Sequence, residues 1–326
     1  MYYQTTFRSL AVLTCLLSLA AYAGLGGYFA RDLVVEIAIL AIVAVSLDVV
    51  AGFGGMNSLC HGALMGTSAY CYSALTAISG VSPGLSVIFA LGLTVIVGLS
   101  IGFITARTTG IFLIMATLAF GQLAYTVVFR ADSLGGDDGL SGVPRLDLQG
   151  LGIDLGDSLQ FALFALFLLA FVYAAAAIAM RSSFGRMLAG VHSNETRLTA
   201  LGVNVREIKT VAFGFSALLA GFAGIVAAQH TQFVSPELLF WTVSGEILIV
   251  VILGGLGTLA GPVVGAALFV LVKHGVGKFT SHWPMIVGMV LIATVLAGGE
   301  GLFGAIESRL SPRQIRKQPS REVDVA

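Results

Sequence analysis

An all-α, polytopic transmembrane bundle of about ten spans (eight to ten) is the fold class this sequence predicts. Three observations predict it. The 326 residues are 57% hydrophobic and only 10% charged, with a mean hydropathy of +0.96, whereas a soluble chain carries about a quarter charged residues. The apolar residues come in runs close to the roughly 20 residues that a helix needs to cross a bilayer. The 41 glycines suit membrane helices, where small residues allow close backbone approach and also mark interruptions. Seventeen basic residues balance seventeen acidic ones, so no polyelectrolyte surface for nucleic acid is expected.

Taken in order, the runs place spans at 9–29, 33–51, 57–79, 83–105, 109–129, 160–180, 210–230, 241–256, 258–276 and 283–299. The first run ends in Ala21-Tyr22-Ala23, similar to a signal-peptidase site. Its only flanking positive residue is Arg8, so it is read as an N-terminal span within residues 1–32. Residues 33–300 form the main transmembrane domain. The run at 241–256 is short enough to be re-entrant. Residues 301–326 form a tail that is polar after Ser311 and predicted to be disordered.

Charge asymmetry sets the orientation, because loops on the cytoplasmic side carry the excess of Lys and Arg. Threading ten spans from an inside N-terminus leaves Arg31, Arg130, Arg145, Lys273 and Lys278 outside and the other twelve basic residues inside. Both termini are therefore expected in the cytoplasm. The outer loop, 131–159, carries six aspartates and a turn-rich core, LGGDDGLSGVP. These aspartates are read as turn formers and as charges that could receive a docking protein. The inner loop, 181–209, is basic. Leu198, Leu201 and Val205 recur in it at helical spacing, which predicts a short amphipathic helix capped by Ser193 or Asn194.

Several side chains need an explanation in an apolar chain. Residues 54–70 read GGMNSLCHGALMGTSAY. Gly54 and Gly55 break the backbone, and Asn57 and His61, four apart, share one face of a helix with Ser58 beside them. Such groups either line a wetted route or satisfy one another at a helix start. Thr117, Gly121 and Tyr125 form a stripe with Gln122 adjacent, fit for helix packing or a pore wall. Glu246 is an acid inside an apolar run, a functional position by default or an ion pair, near Gly254, Gly255 and Gly257. Asp48 is read as interfacial. Phe53–Gly66 (FGGMNSLCHGALMG) and Leu253–Gly265 (LGGLGTLAGPVVG) share Gly-Gly, a bulky apolar residue, a hydroxyl and a leucine in the same order. Interruptions matched between two halves of a transporter point to its pathway.

The cysteines at 15, 60 and 71 lie in apolar runs and read as buried small hydrophobes. The five histidines form no metal-ligand motif, and no GxxxxGK[ST] phosphate loop is present. Neither a resident cofactor nor a metal nor a catalytic constellation is expected.

Five strings in order resemble permeases of branched-chain amino acid ABC importers, and most closely a LivM-type subunit. They are residues 54–70, RTTGIFLIMATLAFGQLAYTVVF (107–129), GGDDGLSGVPRL (135–146), SSFGRMLAGVHSNETRLTALGVNVREIKTVAFGFSALLAGFAG (182–224) and SPELLFWTVSGEILIVVILGGLGTLAGPVVGA (235–266). The resemblance covers about residues 33–300. It implies a multi-pass inner-membrane permease, paired with a LivH-type permease, two cytoplasmic ATPase subunits that consume ATP and a periplasmic binding protein. It also implies that 181–209 is the ATPase coupling loop, with Phe184, Arg186, Glu195, Arg197, Gly202 and Arg206 as its contacts. The loop departs from the general coupling motif, because Thr196 and Arg197 follow Glu195 where alanines are usual. The glycine, Gly202, also lies one position late. The expected cargo is a branched-chain or other apolar amino acid. Alternatives are the same machine carrying urea, short amides or aromatic acids, or an ion-coupled carrier. The carrier would need more intramembrane acids than Glu246.

Overall fold

The computed structural model of the protein describes residues 6–147, 150, 154–278 and, further on, 284–286, 288, 289, 292 and 301. The span predicted at 283–299 and the tail after 301 lie, apart from those positions, outside the described residues.

Eleven α-helices lie among the described residues from 6 to 278. They are α1 (Thr6–Leu25), α2 (Tyr28–Asp48, continuing as a π turn over Val49–Phe53), α3 (His61–Ser73, continuing over Ala74–Ile78), α4 (Pro83–Thr105) and α5 (Ile111–Phe129). Then come α6 (Ser158–Arg181), α7 (Ser183–Ser193), α8 (Glu195–Ala200), α9 (Val205–Thr231), α10 (Trp241–Gly254) and α11 (Ala260–Gly277). Seven of them are long and apolar enough to cross a membrane. The chain is an all-α polytopic membrane protein. Of the remaining runs, α3 is too rich in polar residues to qualify. At 14 residues, α10 reaches only about 21 Å, short of the roughly 30 Å hydrocarbon core.

Local chemistry sets the boundaries. Pro83 opens α4, where its missing N–H costs nothing. Asp157 caps α6 by accepting from Leu159 N at 3.3 Å, and Ser182 caps α7 through Phe184 N at 3.2 Å. At α9, Asn204 accepts from Glu207 N at 3.4 Å, and its amide donates back to the Glu207 carboxylate at 2.7 Å. That reciprocal pair differs from a capping box only in that the Asn204 side-chain amide replaces the backbone N–H as donor to Glu207.

The core centres on α2, which is buried along most of its length against α6, α9, α10 and α11. On the other side α9 packs on α3 and α4. There Gly98 and Gly102 of α4 leave room for Ala217 and Phe213 of α9, the small-residue packing expected of membrane helices. By contrast α4 and α5 expose Ile88, Phe89, Ile96, Ile111, Phe112 and Met115, a surface suited to lipid. At the end predicted to be outer, Leu140–Ser141 (β1) pairs antiparallel with Phe233–Val234 (β2), and Tyr72 Oη donates to Pro144 O at 2.8 Å. The helices α7 and α8 lie at the opposite end.

Two expectations are corrected. The amphipathic helix is α7, over Ser183–Ser193, with Gly185, Leu188 and Val191 inward. The stripe Leu198, Leu201, Val205 is broken: α8 ends at Ala200, Leu201 is exposed, Gly202 turns the chain at φ +82° and Val205 already belongs to α9. Asn194 does cap α8, accepting from Arg197 N at 2.9 Å. Asp48 is not interfacial. It is fully buried, because it serves the backbone of another helix pair.

Candidate functional site: two matched helix breaks

The α2–α3 and α10–α11 pairs are interrupted in the same way and at the same end of the bundle. After α2 the chain passes Gly54 and Gly55, runs without helix to Cys60, and restarts at His61. After α10 it passes Gly255 and Gly257 and restarts at Ala260. In each break the second glycine of the pair has positive φ, +66° at Gly55 and +116° at Gly255, a region closed to most side chains. In each, the hydroxyl shared by the two strings binds a backbone N–H of the restart. Ser58 Oγ accepts from Cys60 N at 3.3 Å, and Thr258 Oγ1 accepts from Gly261 N at 2.8 Å. The sequence echo is thus a structural one.

The breaks touch. Asp48 Oδ1 accepts from Gly257 N at 2.6 Å, and Oδ2 accepts from Leu259 N at 2.9 Å. Leu259 sits at φ +55°, a non-glycine conformation that costs on the order of 1–3 kcal/mol. Two charge-assisted hydrogen bonds offset that strain. Gly52, one turn on from Asp48, packs so closely on Gly257 and the Asp48 carboxylate that a methyl group would collide with both.

The first break also meets α7. A methyl group on Gly55 would lie 2.9 Å from the His192 ring, and one on Gly54 would lie 3.1 Å from Leu188 Cδ1. Gly55 and Asn57 are exposed, whereas Ser58 and His61 are fully buried. The expected shared face of Asn57 and His61 is therefore overturned. The glycines keep residues 54–60 out of the helix, and helical spacing does not apply there.

His61 Nε2 lies 2.8 Å from Ser216 Oγ, which donates its only hydrogen to Ser46 O at 2.7 Å. His61 must then donate from Nε2. Its Nδ1 is a buried lone pair with no partner among the described residues. On α5, Thr117 Oγ1 accepts from Leu59 N at 3.0 Å, and Gly121 lies against Leu59 O. Tyr125 stacks edge-on to Phe240 at 5.0 Å, and Gln122 is half-buried beside it. The stripe packs α5 on the first break. Glu246 stands apart from both breaks, five positions into α10 and half-buried.

The proposed coupling residues divide. Arg186, Arg197 and Gly202 are exposed, and Phe184 packs on the core. Glu195 instead bonds Lys209 at 2.6 Å, whose side chain is 2% exposed. Arg206 lies 3.7 Å over the Phe103 ring. These two tie α8 and the foot of α9 to the bundle.

The family profile described as branched-chain amino acid transport system / permease component matches residues 29–296. The chain belongs to that family. The high-affinity branched-chain amino acid transport system permease protein LivM of Escherichia coli K12 is 27% identical over 286 residues, covering 81% of this chain and 67% of that protein. LivM of Salmonella typhimurium LT2 is 27% identical over 293 residues, covering 83% and 69%. The probable ABC transporter permease protein YphD of Escherichia coli K12 matches 157 residues at 27% identity, 46% of this chain and 45% of that protein. No solved structure matches. This ABC permease subunit is a multi-pass inner-membrane component of a transporter rather than a catalyst in its own right. Residues 29–296 contain both breaks, α7 and α8.

Sequence reasoning missed Asp48, Gly52, Ser216 and the Glu195–Lys209 pair as parts of this arrangement. Asp48 carried a usable signal, a lone acid one turn before a Gly-rich interruption. For Ser216 and Lys209 the partners are far away in sequence, and nothing local announces them.

Proposed function

We propose that this permease subunit forms, with a LivH-type permease, the pathway by which a branched-chain or other apolar amino acid enters the cytoplasm. Two ATPase subunits on the cytoplasmic side bind and hydrolyse ATP, and a periplasmic binding protein delivers the cargo to the 131–159 end. Both termini face the cytoplasm in this reading, which the twelve-to-five distribution of basic residues supports.

The observation that carries the proposal is the contact of α7 with the first helix break. The exposed residues Arg186, Arg197 and Gly202 receive the ATPase, and α7 moves as a rigid body when the ATPases close. His192 and Leu188 then bear directly on Gly55 and Gly54, so the movement reaches the break without an intervening element. Asp48 fixes the second break against α2 and gives the first a stationary neighbour.

The test is uptake of labelled leucine into proteoliposomes that hold the complete complex. The expected result is uptake that needs ATP and the binding protein and is lost in Arg197→Ala with assembly intact. Uptake by this chain alone, driven by an ion gradient, would overturn the ABC reading of the cycle. ATP hydrolysis on docking of the binding protein, with leucine ignored, would overturn the cargo and favour urea, short amides or aromatic acids.

A further inference from the structure

Glu36 on α2 accepts from Lys273 Nζ at 2.9 Å with one oxygen and lies 2.6 Å from His274 Nε2 with the other. Both partners are on α11. Glu246 on α10 lies within electrostatic range of Lys273 and Glu36, yet makes no hydrogen bond or ion pair among the described residues. Three helices thus bring four ionisable side chains together, away from both breaks.

Their depth matters. At 1.5 Å per residue, Glu36 lies about 12 Å from the Tyr28 end of α2, Glu246 about 8 Å from Trp241 and Lys273 about 6 Å from Gly277. The side chains of Glu36, Lys273 and His274 remain 32%, 35% and 30% exposed, and Glu246 is half-buried. Ionised groups at such depth are too costly to leave facing hydrocarbon. The apolar surfaces of α1, α4, α5 and α6 are the lipid-compatible ones. The face carrying Glu36, Glu246, Lys273 and His274 is turned to a polar occupant.

The charge balance describes that occupant. Glu36 is already met by Lys273 and His274 on α11, and Glu246 is the carboxylate that has no such partner among the described residues. A zwitterion matches the arrangement: an ammonium meets Glu246, and a carboxylate lies on the Lys273 side.

We propose that Glu246, with the Glu36–Lys273 pair beside it, forms a site in the outer half of the membrane for the ammonium and carboxylate of the amino-acid cargo. This rests on the amino-acid reading of the transporter and adds the place where the two charged ends are recognised. The side chain of the cargo then points away from the charged face, toward apolar walls.

The experiment uses the assembled complex, with the three native cysteines replaced and Thr242→Cys introduced one turn from Glu246, which stays in place. A water-soluble, positively charged methanethiosulfonate reagent is applied with leucine, with 4-methylpentanoate (which lacks the ammonium) or with neither. The expected result is labelling that leucine slows about tenfold, the scale of one charge-assisted contact, and that 4-methylpentanoate leaves unchanged. Glu246→Gln should abolish leucine import while docking-stimulated ATP hydrolysis persists, and Glu246→Asp should retain part of the import. Labelling without leucine protection in a complex whose wild type imports leucine would overturn the site alone. A residue 242 that resists the reagent and cross-links to the second permease would also overturn it, making this face a subunit contact. A wild-type complex that does not import leucine would overturn the cargo reading and this site with it.

Discussion

The two helix breaks are built from the same parts and differ in what holds them. The second, Gly255–Leu259, is buried except at Leu256, and Asp48 clamps two of its N–H groups. The first, Gly54–Cys60, exposes Gly55 and Asn57 and rests on the His192 ring of α7. A backbone interruption inside a membrane protein must have its free polar groups satisfied by protein or water. One break is satisfied by a buried carboxylate of α2. The other is satisfied partly at an open surface, in contact with the element that faces the ATPases in the proposed cycle.

Substitutions can break that comparison in order of size. Asp48→Ala should do most damage, leaving two buried N–H groups unpaired at about 1–3 kcal/mol each and releasing the strain at Leu259. The expected outcome is loss of folded protein in detergent, read by size-exclusion chromatography. Asp48→Asn keeps one acceptor and should lose about half as much stability. Unchanged thermal stability in both variants would remove Asp48 from the account. Ser216→Ala comes next, because it leaves the His61 Nε2–H and Ser46 O without their shared hydroxyl, at a cost of about 1–3 kcal/mol. A thermal-unfolding midpoint equal to wild type would show that other groups satisfy His61.

Gly55→Ala sharpens the comparison. The alanine faces about 1–2 kcal/mol of backbone strain at φ +66° and a collision with His192. Assembly should survive because the position is exposed, whereas ATP-driven import should fall, and adding His192→Ala should restore part of it. Import that the second substitution does not improve would separate α7 from the break. Thr117→Val removes the acceptor for Leu59 N–H and should cost about 1 kcal/mol, visible as a small drop in unfolding temperature. Asn57→Ala is the smallest, within about 0.5 kcal/mol for an exposed side chain. Anything larger would mean that Asn57 is covered in the complex.

Much of this was legible before any coordinates. The run 83–105 coincides with α4, and 160–180 and 210–230 lie within α6 and α9, since a long apolar run with a clear start has one way to fold in lipid. The Gly-Gly interruptions and their echo were also legible, because glycine and hydroxyl residues state their local conformational role. The inner loop was misread in register: Leu198, Leu201 and Val205 keep a helical period, but Gly202 takes the left-handed turn between two helices. Asp48, Ser216 and Lys209 were illegible in role. Each serves a group on another helix, and a single chain's periodicity carries no record of which helix that is.

The central claim is that the first break travels with α7 while the second stays with α2. Spin labels at Asn57→Cys and Leu256→Cys, each paired with Met187→Cys on the exposed side of α7 in a chain with its native cysteines replaced, test it by pulsed electron resonance in the assembled complex. ATP binding should leave the 57–187 distance unchanged and shift the 256–187 distance. A change in the first distance with the second held constant would contradict the account.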